Sequence, residues 1–310
     1  MNILLATRYG GGRVPGDLCG KALKALGHRV LTVGPSTDPV DKQDYDNPIA
    51  EFNNICVYDT RQIIAETGFQ PELLFQVEPG AFFINFQSLN IPIASWWIDT
   101  LLMPGHWLLL EENLGRNYLD IIKEHCFTSK IPHIQQYKKL NIIATHLPLA
   151  LDDTAYKLFD MPKKYDIVFI GNMTYEERQY YMQLLKENGS FIVWDRGGLI
   201  ADDYCRKISE SYIAFNHGHV GELNMRFFEL MGIGAFQLCN ICHGQEELGY
   251  IDGEHLVNYT TNVELINLVN HYLIDGQARE EIARKGREYT IANHTYKHRM
   301  KFMLDAIFKF

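Results

Sequence analysis

No stretch of the 310 residues is apolar for long enough to span a bilayer, and the segment LLMPGHWLLL is broken by Pro104, Gly105 and His106. The opening MNILLATRYGGG lacks the basic start and long apolar core of a secretory signal, and reads as a first strand. Cysteine is sparse: Cys19, Cys56, Cys126, Cys205, Cys239 and Cys242 are too scattered for a disulfide scaffold. A reducing, cytoplasmic location and no membrane span are therefore expected. Excess positive charge is also missing, with 29 Lys and Arg against 38 Asp and Glu and a net charge of -9. Long-range attraction to nucleic acid or anionic lipid is not expected from that balance. There is no block of like charge, short repeat or low-complexity segment.

What is present is an ordinary globular composition, 46% hydrophobic and 22% charged, at a length that suits one large domain or two of average size. Asn2–Thr7 reads as a strand, followed by the glycine-rich loop YGGGRVPG and a helix that stops at Gly27. His28–Val33 reads as the next strand, and a β–loop–α–β opening indicates a parallel sheet. Strands are predicted near Glu72–Glu78, Pro92–Ile98, His125–Thr128 and Ile142–His146, with helical segments between them. The pattern pauses over Leu151–Lys164 and restarts with the strand YDIVFIGN. Further strands are expected at Phe191–Trp194, Tyr212–Asn216, Ala235–Leu238 and His255–Tyr259, alternating with helices. The fold class is α/β, with two successive Rossmann-like domains facing each other across a cleft. The expected boundaries are residues 1–155, residues 165–294 and a final helix over 295–310.

Ligands of open parallel sheets sit beyond the carboxyl ends of strands, so residues that follow strands carry the interest. In the run NHGHVGELNMRFFELMGIGAF, a polar loop leads into a short helix with Arg226 and Glu229 three positions apart. Asn224 can cap that helix. The free N–H groups of its first turn favour a phosphate, to which Arg226 adds a bidentate cation. An ionised Glu229 accepts hydrogen bonds only and suits both hydroxyls of a ribose. An ordinary i, i+3 ion pair on a structural helix is the alternative. In YGGGRVPG, Gly11 and Gly12 let backbone N–H groups approach a ligand; a bare turn is the alternative. NAD is disfavoured, because the second strand ends Val33-Gly34-Pro35 without the acidic residue a dinucleotide site wants.

IASWWIDT puts Asp99 just past a strand beside Trp96 and Trp97, where a carboxylate with raised pKa can act as general base or simply cap a turn. His217 and His219 lack further ligands for a metal and suit either a sugar or phosphate loop or a purely structural role. Asp44-Tyr45-Asp46 has the D-x-D form of some cation sites, but reads as a solvated surface loop. CNICH matches a haem-attachment pattern, and buried thiols are the better reading.

The second half resembles the CgeB-like (spore maturation protein type) glycosyltransferases of the GT-B group. The motifs are YDIVFIGN, then Glu177-Arg178, LNMRFFELMGIGAF, EHLVNYTTNVELINLVNHYL and REEIARKGREYTIANHTYKHR, in that order. The resemblance implies a nucleotide-sugar donor held by the second domain, an acceptor held by the first, no tightly bound metal or cofactor, and a last helix returning to the first domain. By position Glu229 is similar to the second Glu of a Glu-x7-Glu element, with Gly221 where the first would stand. Arg226 and Asn172 are implied near the phosphates, and Arg196, following the next strand, near the base. His217, from its loop position alone, is a further candidate donor contact.

The expected activity is metal-independent, hexosyltransferase-like transfer from a nucleotide-diphosphate sugar to an acceptor hydroxyl. The acceptor is left open among protein, saccharide, small molecule and lipid head group. The alternatives are a nucleotide-sugar epimerase or hydrolase, and a non-catalytic nucleotide-sugar-binding subunit.

Overall fold

In the computed structural model the described residues are 1–11, 14–36, 43–52, 55–77, 81–98, 124–189, 192–195 and 201–309. They group into two units, Met1–Pro148 with Tyr296–Phe310, and Leu149–Thr295.

The first unit runs β1 (Asn2–Thr7), α1 (Pro15–Ala25), β2 (Arg29–Val33), β3 (Ala50–Phe52), β4 (Ile55–Asp59), α2 (Thr60–Thr67), β5 (Leu73–Val77), β6 (Ala81–Ile84), β7 (Ile93–Trp97), β8 (His125–Thr128), α3 (Ile131–Lys139) and β9 (Ala144–His146). Its main sheet is parallel, in the order β2-β1-β5-β7-β8-β9. The runs LLFQV and IASWW are buried at every position, as strands covered on both faces must be.

Two features depart from the sequence reading. A small second sheet, β3-β4-β6, is built from strands that were not expected, with β6 lying where helix was expected. Its strands are too short to show a period of their own. Asp44-Tyr45-Asp46 keeps both carboxylates exposed, as a surface loop does, but is tied down at several points. Asp44 accepts from the N–H and hydroxyl of Thr32 at 2.7 and 2.8 Å, Tyr45 is buried and bridges to Val33, and Asp46 accepts from the Tyr58 hydroxyl at 2.8 Å. The reason is that β2 is an edge strand, whose free backbone groups need partners.

The second unit runs β10 (Tyr165–Ile170), α4 (Glu176–Glu187), β11 (Ile192–Asp195), α5 (Ala201–Ser209), β12 (Ser211–Asn216), α6 (Met225–Ile233), β13 (Gln237–Asn240), β14 (Val257–Tyr259), α7 (Asn262–Ile274) and α8 (Gly276–Asn293). The chain then returns to the first unit as α9 (Tyr296–Phe308), where the Tyr296 ring meets Trp96 edge-on at 6.4 Å and Arg299 Nε donates to the Pro148 carbonyl at 3.0 Å.

The second sheet is also wholly parallel, ordered β11-β10-β12-β13-β14. Alternation along YDIVFI explains its two-sided burial. Ile167 and Phe169 pack with Ile213, Phe215 and Leu238 on one face; Val168 and Ile170 pack with Ala214, Leu230 and Ile233 on the other. β13 starts later than the expected Ala235, because α6 continues to Ile233 and ends at Gly234 in the left-handed conformation, φ 85.

Candidate active site

Strand order in the second sheet reverses between β10 and β12: β11 lies beyond β10 on one side, and β13 and β14 lie beyond β12 on the other. A crevice beyond the carboxyl ends of strands at such a reversal is where open α/β sheets take their ligands. Gly171 and Asn172 leave β10 there, and His217 and Gly218 leave β12.

α6 begins at the same place. Its cap is Asn224, whose side-chain oxygen accepts from the Phe227 N–H at 2.9 Å. Asn216, fully buried at the end of β12, faces that cap through amide contacts of 3.3 and 3.4 Å, and its Oδ1 accepts from Arg226 Nη1 at 3.1 Å. The Arg226 guanidinium lies 4.3 Å from the Phe169 ring centroid. It also fills the space beside Gly171, where a Cβ would sit 1.7 Å from Nη2. Burial draws its pKa down, with Tyr204, Glu229 and Glu222 acting the other way against the further lowering by Arg178. It remains a cation at neutral pH.

Glu229 is half-buried, and its Oε1 accepts from the Tyr156 hydroxyl at 2.6 Å. Burial pushes its carboxyl above the ordinary range, and the Tyr156 hydrogen bond, the Arg226 charge and Tyr204 pull it back. The Tyr156 and Tyr204 rings meet edge-on at 6.1 Å. Arg226 and Glu229 thus turn to different partners on one helix, Asn216 and Tyr156.

Arg178, buried on α4, ties the two strand exits together. Its Nη1 donates to the Asn172 carbonyl at 3.0 Å and its Nε to the His217 carbonyl at 3.1 Å, while its guanidinium lies 4.7 Å from the Tyr175 ring centroid. The Asn172 side chain forms a local turn, accepting from the Thr174 N–H at 2.8 Å. His217 is buried, with Nδ1 2.7 Å from the Tyr259 hydroxyl and Nε2 3.5 Å from Glu177. Burial lowers its pKa, and Glu177 restores part of the loss. His219 stacks on Tyr175 at 4.0 Å and lies 3.1 Å from the same Glu177. Hydrogen bonding to His219 holds the Glu177 carboxyl below its ordinary value. Among the described residues no group of three or more His, Cys, Asp or Glu is arranged to hold a metal ion.

The loop between β12 and α6 is held from β13. Asn240 bonds Gly218 twice, at 2.8 and 3.0 Å, and the Gly221 carbonyl accepts from the His243 N–H at 2.7 Å. A side chain at 221 would meet the His243 ring at 3.1 Å, on a backbone already at φ 72. Val220, beside it, has φ 48 and is 70% exposed. Cys239 and Cys242 are buried free thiols.

In the first unit, Gly10 donates to Asp17 at 3.0 Å, and Gly11 has φ 66. Gly10 and Gly16 have packing reasons for lacking a side chain, since a Cβ would reach Val14 at 2.6 Å and Thr7 at 1.9 Å. Asp99, Gly12 and Arg196 lie outside the described residues. The structure brings Asn172, His217, Asn224 and Arg226 together at the reversal, with Glu229 one turn along α6. Sequence reasoning missed Asn216, Tyr156 and Tyr204. Asn216 carried a signal, a polar residue closing an apolar run. Tyr156 lay in Leu151–Lys164, where the strand and helix pattern pauses, and its link to position 229 is purely tertiary.

Residues 158–305 match the glycosyl transferase-like family. A comparison with curated proteins finds no match. Among solved structures, similar folds include the sucrose-phosphate synthase of Thermosynechococcus elongatus (TM-score 0.62, 13% identity, 99% of this chain and 98% of that one). They also include an alpha-glucosyltransferase solved with UDP and a DNA 13-mer (0.63, 12%, 99% of each) and Anabaena HepE solved with UDP-glucose (0.61, 12%, 100% of each). What is shared at 12–13% identity is the fold. The chain has the GT-B fold of these structures, and its residues 158–305 are similar to the glycosyl transferase-like family.

Proposed function

We propose that this protein moves a sugar from a nucleotide-diphosphate sugar to an acceptor hydroxyl, with the donor held at the strand reversal of the second unit. The observation that carries this is Arg226 locked between Gly171, Phe169 and Asn216 at the start of α6. Loss of the nucleoside diphosphate develops negative charge, which a preorganised cation and free helix N–H groups stabilise without reorganising. Asn172, His217 and Asn224 flank the phosphates. Glu229 takes the ribose hydroxyls, and Arg196 serves the base. Gly11 and Gly12 are proposed as further donor contacts. Asp99 takes the acceptor proton if configuration inverts, and orients the acceptor if it is retained.

A UDP-sugar is the first donor to test, since HepE was solved with UDP-glucose. The motif order supports a CgeB-like subtype, a metal-independent reaction and an acceptor on the first unit. A cytoplasmic setting fits a chain in which no helix among the described residues is long and apolar enough to cross a membrane. A second reading, a non-catalytic nucleotide-sugar-binding subunit, draws on Gly221, since His243 stands where the missing glutamate would begin.

The test is incubation with UDP-, GDP- and TDP-sugars, scoring released nucleoside diphosphate with and without acceptors. Acceptor-dependent release that collapses in Arg226→Ala supports transfer. Acceptor-independent turnover points to hydrolysis or epimerisation, and tight binding without turnover to the binding subunit.

A further inference from the structure

A pocket of about 820 Å³ opens in the second unit at the other end of its sheet. Its walls include Ser211, where β12 starts, Phe236, just before β13, and Ser209 and Gly234, where α5 and α6 end. It therefore lies beyond the amino ends of the strands, whereas Gly171 and Asn216 mark the carboxyl ends. Its volume is in the range of small-molecule sites.

The chain as a whole is acidic, with 38 Asp and Glu against 29 Lys and Arg, and this pocket reverses that balance. Lys163, Arg279 and Arg287 line it and give hydrogen bonds to backbone carbonyls. Lys163 Nζ reaches Ser209 and Ser211 at 2.9 and 2.7 Å, Arg279 reaches Tyr272, and Arg287 Nε reaches Gly232 at 3.1 Å. Carbonyls orient these cations without neutralising them. Burial and the nearby Arg279 charge lower the Lys163 pKa, and Glu280 offsets part of that. The other lining cations are already paired: Arg284 with Glu281 and Glu288, and Lys157 with Asp202. Asp160 and Glu280 leave the three carbonyl-bound cations in excess.

The pocket also has exposed apolar walls. Leu158 is 55% and Tyr212 37% exposed, and Met161 lies beside them in the lining. Cations that repel one another gain from a shared anion, and charge-assisted bonds are the strong ones.

We propose that this pocket is a second binding site, separate from the donor site, for a small phosphorylated molecule with a flat apolar body. Its phosphate is held by Lys163, Arg279 and Arg287, and its body lies on Leu158, Met161 and Tyr212.

Calorimetry on the full chain tests this with phenyl phosphate, inorganic phosphate and phenol as probes. Phenyl phosphate binds once per chain, and more tightly than either fragment. Arg279→Met and Lys163→Met each weaken it at least about tenfold. Exposed Glu280→Gln, which leaves the Lys163 bonds intact, tightens it about threefold and serves if Lys163→Met fails to fold. Arg226→Ala leaves it unchanged, and excess UDP does not displace it. Three results would overturn the site: no phenyl phosphate binding; binding indifferent to Arg279→Met and Glu280→Gln; or binding lost in Arg226→Ala or to UDP.

Discussion

Arg226 occupies the space over Gly171 that any other residue would need, since a Cβ at 171 would lie 1.7 Å from Nη2. A strand exit and a helix start more than fifty residues later are therefore matched to each other. Gly171→Ala must displace the guanidinium from its contacts with Phe169 and Asn216. The expected result is a loss in donor kcat/KM of roughly 10²-fold, the scale of a lost transition-state donor. Combined with Arg226→Ala the losses are less than additive. Strict additivity in that double-mutant cycle would mean that the glycine serves something else.

Tyr156→Phe removes the hydroxyl that donates to Glu229 at 2.6 Å. That bond counters part of the upward push that burial gives the carboxyl. Binding a diol needs the ionised form, which is an acceptor only. Without the hydroxyl the carboxyl rises further, so the acid limb of donor affinity moves to higher pH. Calorimetric titration with UDP across the acid range reads this. A limb that stays in place would take Glu229 out of donor binding.

Arg178→Met deletes both carbonyl bonds that join the exits of β10 and β12. Because the residue is buried, urea unfolding is expected to show a loss of about 3 kcal/mol. Arg178→Lys restores only part of it, since a single ammonium does not reproduce the guanidinium fork. Equal stability of the Met variant and the parent would contradict this stitching role.

Burial holds the folded-state pKa of His217 below its ordinary value of 6.5. The neutral ring's contribution is complete above that ordinary value. It is lost as pH falls through the lowered folded value, because the unfolded chain takes up the proton first. His217→Gln should flatten the slope of unfolding free energy as pH falls below the ordinary value of 6.5. The slope does not vanish, since His28, His125 and His255 are lowered in the same direction. An unchanged slope would show that His217 takes up no proton on unfolding in that window.

Val220 holds a left-handed backbone, φ 48 and ψ 32, that β-branched residues avoid. Asn adopts it readily, so Val220→Asn is expected to stabilise the fold by about 1 kcal/mol. The residue is 70% exposed on the loop leading to α6, so donor kinetics should be measured beside the thermal midpoint. Added stability with weakened turnover would mark the strain as part of the site; a loss of stability would show that the valine side chain is itself packed.

Most elements could be read from periodicity because both main sheets are parallel and covered on two faces. Runs such as IASWW and YDIVFI announce themselves, and Asn224 and Gly234 mark the limits of α6 through backbone chemistry that acts within a turn. The β3-β4-β6 sheet was not legible, because each strand is only three to five residues long and takes its identity from its neighbours. The Arg226 position and its cap were legible for the same local reason.

The chain's own order of residues settles the alternation of strands and helices, the cap that opens α6 and the placing of a cation and a carboxylate on one helix, because each depends on neighbours within a few positions. Folding in three dimensions alone settles that Arg226 rests on Gly171 and Phe169, that Glu229 is held by Tyr156, and that Arg178 joins two strand exits. Those partners stand far apart along the chain, and no local periodicity encodes which distant strand end a buried side chain will meet.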